Sequence, residues 1–479
     1  MTNRTYITTS IPYVNARPHL GFALEGVQAD ALARYRRLIG EEVRFQSGTD
    51  ENSLKNVLAA QEKGIPTKDF VEGLSAAFEG LCEELNLSVD SFWRTSQEAH
   101  VRGVQTFWKQ LKREDVYVGR YDGLYCVGCE DFLQEKDLVD GHCPDHDLAP
   151  QRISEENYFF RLSSYQKRIE ALLDAKDIQI VPESRREEIS KFVEEGLRDF
   201  SISRPAERSG GWGIPVPGDP SQVVYVWVDA LANYLSGLGY GTDERWEESW
   251  SESVQKIHVI GKNIWKFHAI YWPALLLSLS LPLPDILLIH GFLTEDGSKI
   301  SKSRGATLDP FDCVKRFGAD GVRHFLLRAL NPWADGDVSE DRLREVYNAD
   351  LANDLGNLVS RLTKLCEKAG YRGASLPSGP VAPEGYHEAW KRYDFQGALE
   401  SLWRWVREVN REIDKARPWE KVALGGDSGL GEDLDGWIQR LYAVTYWLQP
   451  FLPRGSQQIL DVLTACPLVK PPSIYPRRR

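Results

Sequence analysis

The sequence predicts an α/β protein: a doubly wound parallel sheet of the Rossmann type, split by a zinc-binding insertion and followed by an all-helical C-terminal bundle. Three observations carry this expectation. Near the start, strand-like and helical runs alternate across a glycine-containing turn. A cysteine-bearing stretch of short strands and turns then interrupts the alternation, which resumes near residue 212. From about residue 341 the apolar residues recur at helical spacing.

TYITTSIPYV (5–14) is β-branched and aromatic, as a buried strand requires. The turn holding Gly21 leads into a helix over 23–40, and EVRFQSGTD (42–50) is the next strand. These elements open a first half-domain over 1–115, whose nucleotide-type crevice would lie at the carboxyl ends of the strands. Residues 116–210 form the expected insertion, ending in a helix over 184–197. The second half of the sheet domain spans 211–290, with core-strand composition at 212–230. Its apolar stretch 271–290 carries three prolines and reads as a buried helix, a turn and a core strand, not a membrane span. A loop-bearing connection covers 291–345 and the helical domain covers 346–479. Pro/Gly-rich linkers fall at 371–386 and 424–431.

A chain of 479 residues with 42% hydrophobic and 27% charged residues has the composition of a globular protein of several domains. No signal-like start is visible, so a cytoplasmic protein is expected. The net charge of −12 argues against indiscriminate nucleic-acid binding but leaves room for a local basic face. Seven cysteines, three of them close together, suggest a metal site with scattered reduced thiols.

Three segments carry chemistry. HLGF (19–22) places His19 and Gly21 where a strand hands over to a helix. Helix N-termini present backbone N–H groups to anions, and a glycine permits close approach. A tight turn with a packed histidine is the plainer alternative. DGSKISKSRG (296–305) sets Lys299, Ser301, Lys302, Ser303 and Arg304 on one loop. Such a loop suits polyphosphate, or is simply an exposed basic loop. C-x2-C at 126–129 and C-P-D-H at 143–146 give Cys126, Cys129, Cys143 and His146, a tetrahedral zinc set without an open position and therefore structural.

HLG near the start and KISKS some 280 residues later form a rare pair, and together they resemble class I aminoacyl-tRNA synthetases. PYVNARPHLG, FQSGTDE, YCVGCE, EENYFFRL, WGIPVP, YVWVDALANY, FHAIYWPALL and SKISKSRG are similar to the methionyl-tRNA synthetase family in particular, in order from about residue 5 to 450. The resemblance implies ATP-dependent activation of methionine to methionyl-adenylate and transfer to tRNA(Met). It assigns catalysis to His19, Lys299 and Lys302, with Mg2+ bridging the phosphates. ATP contacts fall to His19, Gly21, Phe22, Glu25, Gly261, Asn263, Lys299, Ser301, Lys302 and Ser303. The methionine pocket would comprise Ile11, Tyr13, Asp50, Trp227, Ala230, Tyr234, Ile264 and His268, with Asp50 holding the ammonium. Asn357, Arg361, Pro418 and Trp419 match the anticodon readers.

The chain departs from the family pattern at three places. Phe22 stands where a second histidine is usual, Asn263 where an aspartate is usual, and Asn52–Ser53 where His-Gly is usual. By analogy they lie around ATP and predict slow activation. They motivate an alternative, an amino-acid-activating ligase that transfers to a small amine or hydroxylamine independently of tRNA. The absence of an appended dimerisation domain suggests a monomer.

Overall fold

The central sheet is covered on both faces, and its strands bury polar as well as apolar side chains. In the computed structural model, the strands Arg4–Thr9, Val254–Gly261 and Ile286–His290 are buried almost throughout, the pattern of a parallel sheet covered on both sides. The structure describes residues 3–144, 147–295, 298–299, 308–371, 373–423 and 430–478.

Six strands pair in the order Ser91–Arg94, Glu42–Thr49, Arg4–Thr9, Val254–Gly261, Ile286–His290 and Gln179–Val181, all parallel. Chain order reverses between Arg4–Thr9 and Val254–Gly261, so the switch point lies there, with its crevice outside the carboxyl ends. The expected strand over 5–14 stops at Thr9, ahead of a segment in which Tyr13 makes only an isolated parallel bridge to Asp50.

The chain divides into two units. The first comprises Met1–Pro18, Gly40–Gly80 and Val89–His290; the second comprises His19–Ile39, Leu81–Ser88 and Gly291–Arg479. Within the first unit, the segment 116–210 builds an antiparallel sheet from Asp131–Leu133, Val116–Cys126, Gln151–Phe160 and Phe200–Ser201. It also lends Gln179–Val181 to the edge of the central sheet, a pairing that three residues cannot advertise in a sequence.

The core-strand reading of 212–230 needs correction. Pro215–Val216 and Asp219–Val224 are strands of a separate small antiparallel sheet, and a helix runs from Val226 to Ser236. The run VVYVWV has strand composition, but Trp227, Ala230 and Tyr234 fall on one helical face. Tertiary burial of that face overrides local β-propensity.

The second unit is mainly helical. Its longest helix, Phe395–Ala416, is capped by the Asp394 carboxylate, which accepts the Gly397 N–H at 2.8 Å. It ends at Arg417, whose φ of 46° lies in the left-handed region. Pro418 then starts the helix Pro418–Ala423, leaving Trp419 on the surface at 43% exposure. Among the described residues no helix is long and apolar enough to cross a membrane.

Candidate active site

His19 is the N-cap of the helix Leu20–Leu38, in the second unit. Its Nδ1 accepts the Gly21 N–H at 2.9 Å. An acceptor Nδ1 puts the proton of a neutral imidazole on Nε2, making that nitrogen a donor. Gly21 is required by this cap itself: a Cβ there would lie 2.7 Å from His19 Cε1 and 2.8 Å from Nδ1. The glycine expected to admit a ligand thus first admits the histidine ring. Phe22 and Glu25, on the same helix, are both buried at 6% exposure.

The helix is pinned at its middle. Asp30, fully buried, pairs with Arg323 at 2.6 Å and with Arg34 at 2.8 Å. It also accepts the Ser88 N–H and hydroxyl, each at 2.6 Å.

In the first unit, most of the expected amino-acid pocket comes together. Asp50 follows the strand Glu42–Thr49, is 1% exposed, and forms a backbone bridge with Tyr13. Tyr13 meets Trp227 edge to face at 6.1 Å, and Trp227 stacks on Phe267 at 3.7 Å. Tyr234 Oη and His268 Nε2 are 2.8 Å apart, and His268 Nδ1 lies 3.0 Å from the Ile264 carbonyl. Donation from Nδ1 to that carbonyl leaves Nε2 to accept from the tyrosine. Ala230 is buried on the helix face shared by Trp227 and Tyr234. Ile11 sits half-buried two residues beyond the strand end. The aromatic surfaces and a neutral Tyr–His pair suit an apolar, polarisable side chain, while Asp50 suits a cation.

Burial pushes the Asp50 carboxyl well above the usual carboxylate range, and the negative charges of Asp229 and Glu130 push it further. The Asn52 N–H donates to Asp50 at 3.1 Å, and its side-chain amide donates to Asp229 at 2.8 Å and to the Thr95 carbonyl at 3.1 Å. Asp229 pairs in turn with His100 Nε2 at 2.5 Å. Asn52 therefore braces the two carboxylates. Sequence reasoning missed Asp229, His100 and Phe267. The available signal was Asp229, a lone acid in the apolar run YVWVDALANY.

Gly261 and His290 are register partners at the carboxyl ends of adjacent strands. A Cβ on Gly261 would come within 3.2 Å of Asn263 Oδ1, so Asn263 lies over the strand end. Lys299 belongs to the two-residue strand Ser298–Lys299, paired with Leu293–Glu295. Its side chain, with Ser301, Lys302 and Ser303, lies outside the described residues.

The sulfur atoms of Cys126, Cys129 and Cys143 lie within 4.8 Å of one another, and the Cys129 N–H donates to Cys126 Sγ at 3.4 Å. Three clustered, largely buried sulfurs fit zinc, which as thiolates they would hold while pinning the turn; His146 lies outside the described residues. The purified chain is expected to carry about one zinc per molecule, and Cys143→Ser to lose most of it, since structural zinc needs a complete ligand set. Elemental analysis by mass spectrometry checks this; a metal-free, fully folded wild type would refute it.

In the second unit, the Arg361 guanidinium lies 6.0 Å from the Trp419 ring centre and pairs with Asp414 at 2.5 Å. Asn357, one turn before Arg361, is exposed. Pro418, buried, fixes the start of the tryptophan's helix. An exposed tryptophan beside a guanidinium is a surface on which an unstacked base can lie.

A strand-switch crevice, an N-capping histidine and a cysteine knuckle define an α/β nucleotide-type enzyme. A family model described as tRNA synthetases class I (M) matches residues 5–153 and 146–363. The chain belongs to the class I tRNA synthetases. It is 40% identical to a methionine--tRNA ligase of Thermotoga maritima over 95% of this chain and 74% of the relative. It is 40% identical to that of Brucella melitensis over 96% and 92%. The Mycobacterium tuberculosis methionyl-tRNA synthetase in complex with methionyl-adenylate superposes with a TM-score of 0.90, at 34% identity, covering 100% of both chains.

Proposed function

We propose that the chain is a methionine--tRNA ligase that activates methionine with ATP and transfers it to tRNA(Met). The observation that carries this reading is the full-length likeness, at 34% identity, to an enzyme holding methionyl-adenylate. The methionine carboxylate attacks the α-phosphorus of ATP in line; the P–O bond to pyrophosphate breaks, leaving a mixed anhydride. The 3′ hydroxyl of tRNA then attacks the anhydride carbonyl, and AMP departs.

Asp50 holds the ammonium, while Ile11, Tyr13, Trp227, Ala230, Tyr234, Ile264 and His268 enclose the thioether side chain. His19 Nε2–H, Lys299 and Lys302 stabilise charge developing on the phosphates. ATP enters as its Mg2+ complex, and Gly21, Phe22, Glu25, Gly261, Asn263, Ser301 and Ser303 contribute its remaining contacts. Asn357, Arg361, Pro418 and Trp419 read the anticodon. Residues 291–345 would carry the KISKS loop and contact the tRNA stem, and 346–479 the anticodon end. A cytoplasmic monomer fits this role. Nothing described above favours transfer to a small amine.

Pyrophosphate exchange with a panel of amino acids, followed by tRNA charging, tests the reading. Methionine-dependent exchange and charging are expected; exchange with transfer only to a small acceptor would refute tRNA as the acceptor. Phe22→His restores a hydrogen-bond donor at the helix start and is expected to speed exchange by at least about tenfold, since one donor to a transition-state charge contributes about 2.7–4 kcal/mol. An unchanged rate would mean that Phe22 is no handicap.

A further inference from the structure

Three consecutive residues at the second knuckle cysteine reach three different walls of the amino-acid pocket, all within the first unit. The Cys129 carbonyl accepts the Trp227 indole N–H at 3.3 Å. The Glu130 carboxylate, 4% exposed, accepts the backbone N–H of Lys55 at 3.0 Å, at the start of the helix that follows the Asp50 loop. Asp131 pairs with the Lys266 ammonium at 2.5 Å. Lys266 directly precedes Phe267, the ring stacked on Trp227, and stands two residues before His268.

These contacts all leave one short turn. Cys126 and Asp131 are register partners across a four-residue turn, and Glu130 sits in that turn with φ of 54°, a conformation unfavourable for a non-glycine residue. A knuckle that only pinned the insertion would need none of the three contacts. Asp131 is nearly buried but Lys266 is only half-buried, and a partly solvated ion pair contributes little net stability. Retaining Asp131 with Lys266 makes sense where a fixed geometry is required.

We propose that Glu130 and Asp131 are positioning residues of the amino-acid pocket, through which the cysteine knuckle holds Trp227, the Asp50 loop and the Lys266–His268 segment in one register. The proposal rests on the methionine-activating reading above. It assigns the knuckle a part in setting substrate affinity, beyond holding the insertion together.

Asp131→Asn keeps the side-chain shape and removes the charge. Two measurements on the full chain decide the matter: steady-state pyrophosphate exchange, and amide hydrogen exchange over 264–272 without substrate. The variant should keep its zinc, raise KM for methionine about tenfold with a smaller effect on KM for ATP, and exchange amides faster over 264–272; misplacing a positioned group by a fraction of an ångström has effects of this order. An unchanged KM for methionine, or a rise that appears only together with zinc loss, overturns the proposal. If the wild type shows no methionine-dependent exchange, the functional reading fails instead. Amide exchange then decides the clamp alone: faster exchange in the zinc-replete variant supports it, and unchanged exchange overturns it.

Discussion

Asp50→Asn should raise KM for methionine roughly a hundredfold, because losing one member of a buried, hydrogen-bonded charge pair costs about 3 kcal/mol. KM for ATP should move far less. The wild type should also show a characteristic pH dependence. The Asp50 carboxyl is held well above its usual range by burial first, and then by Asp229 and Glu130. An ammonium requires the ionised form, so methionine must displace a proton. Affinity therefore climbs as pH rises through the raised value, until the substrate's own amine begins to lose its charge. In the ligand-free protein the sign for stability is opposite. A carboxyl with a raised folded pKa contributes stability at low pH that is lost as pH rises through that value, and bound methionine offsets the loss. Calorimetric titration of methionine across the neutral range checks both variants. A wild-type affinity independent of pH, or an unaltered KM in Asp50→Asn, would remove Asp50 from the ammonium site.

What was legible in the sequence was whatever chemistry is local along the chain. The helix start at HLG and the three clustered cysteines declare themselves because turn geometry and ligand spacing depend on neighbouring residues. The parallel sheet was legible for the same reason, as runs of apolar β-branched residues between glycine turns. What the local pattern hides is partnership across the chain. Phe267 looks like any core aromatic until it stacks on Trp227, forty residues earlier in the chain. Asn52 gave no sign that its partners would be Asp50, Thr95 and Asp229. Gly21 was legible as a glycine that a helix start requires, but its reason is the His19 ring folded back against it. Each of these misses concerns an atom supplied by tertiary structure, which spacing alone does not specify.

Replacing Arg323 should produce the largest loss of stability in the second unit. Its guanidinium and the Asp30 carboxylate are both fully buried and 2.6 Å apart, and its remaining donors reach the carbonyls of Phe451 and Pro450 at 2.9 and 2.8 Å. Burial alone would raise the Asp30 carboxyl. The positive charges of Arg323 and Arg34 and the Ser88 hydrogen bonds outweigh it, holding the group below the usual range. Burial lowers Arg323 as well, but arginine remains charged in proteins. Arg323→Met leaves Asp30 charged with only Arg34 as cation, a change that costs about 3–5 kcal/mol. Pairing it with Asp30→Asn should cost less than the sum of the two single changes, because no unpaired charge then remains buried. Since Asp30 is depressed, its contribution is present above its unfolded value and is lost as pH falls through its folded one; the penalty of Arg323→Met therefore shrinks in acid. Urea unfolding of the four proteins in this cycle, at neutral and acidic pH, measures each quantity. Asp30 lies on the helix that His19 caps and that carries Gly21, Phe22 and Glu25, so part of the loss should also appear in activation as looser placement of the imidazole. Strictly additive penalties, or a full-sized penalty that persists in acid, would mean that the pair is not what holds the helix.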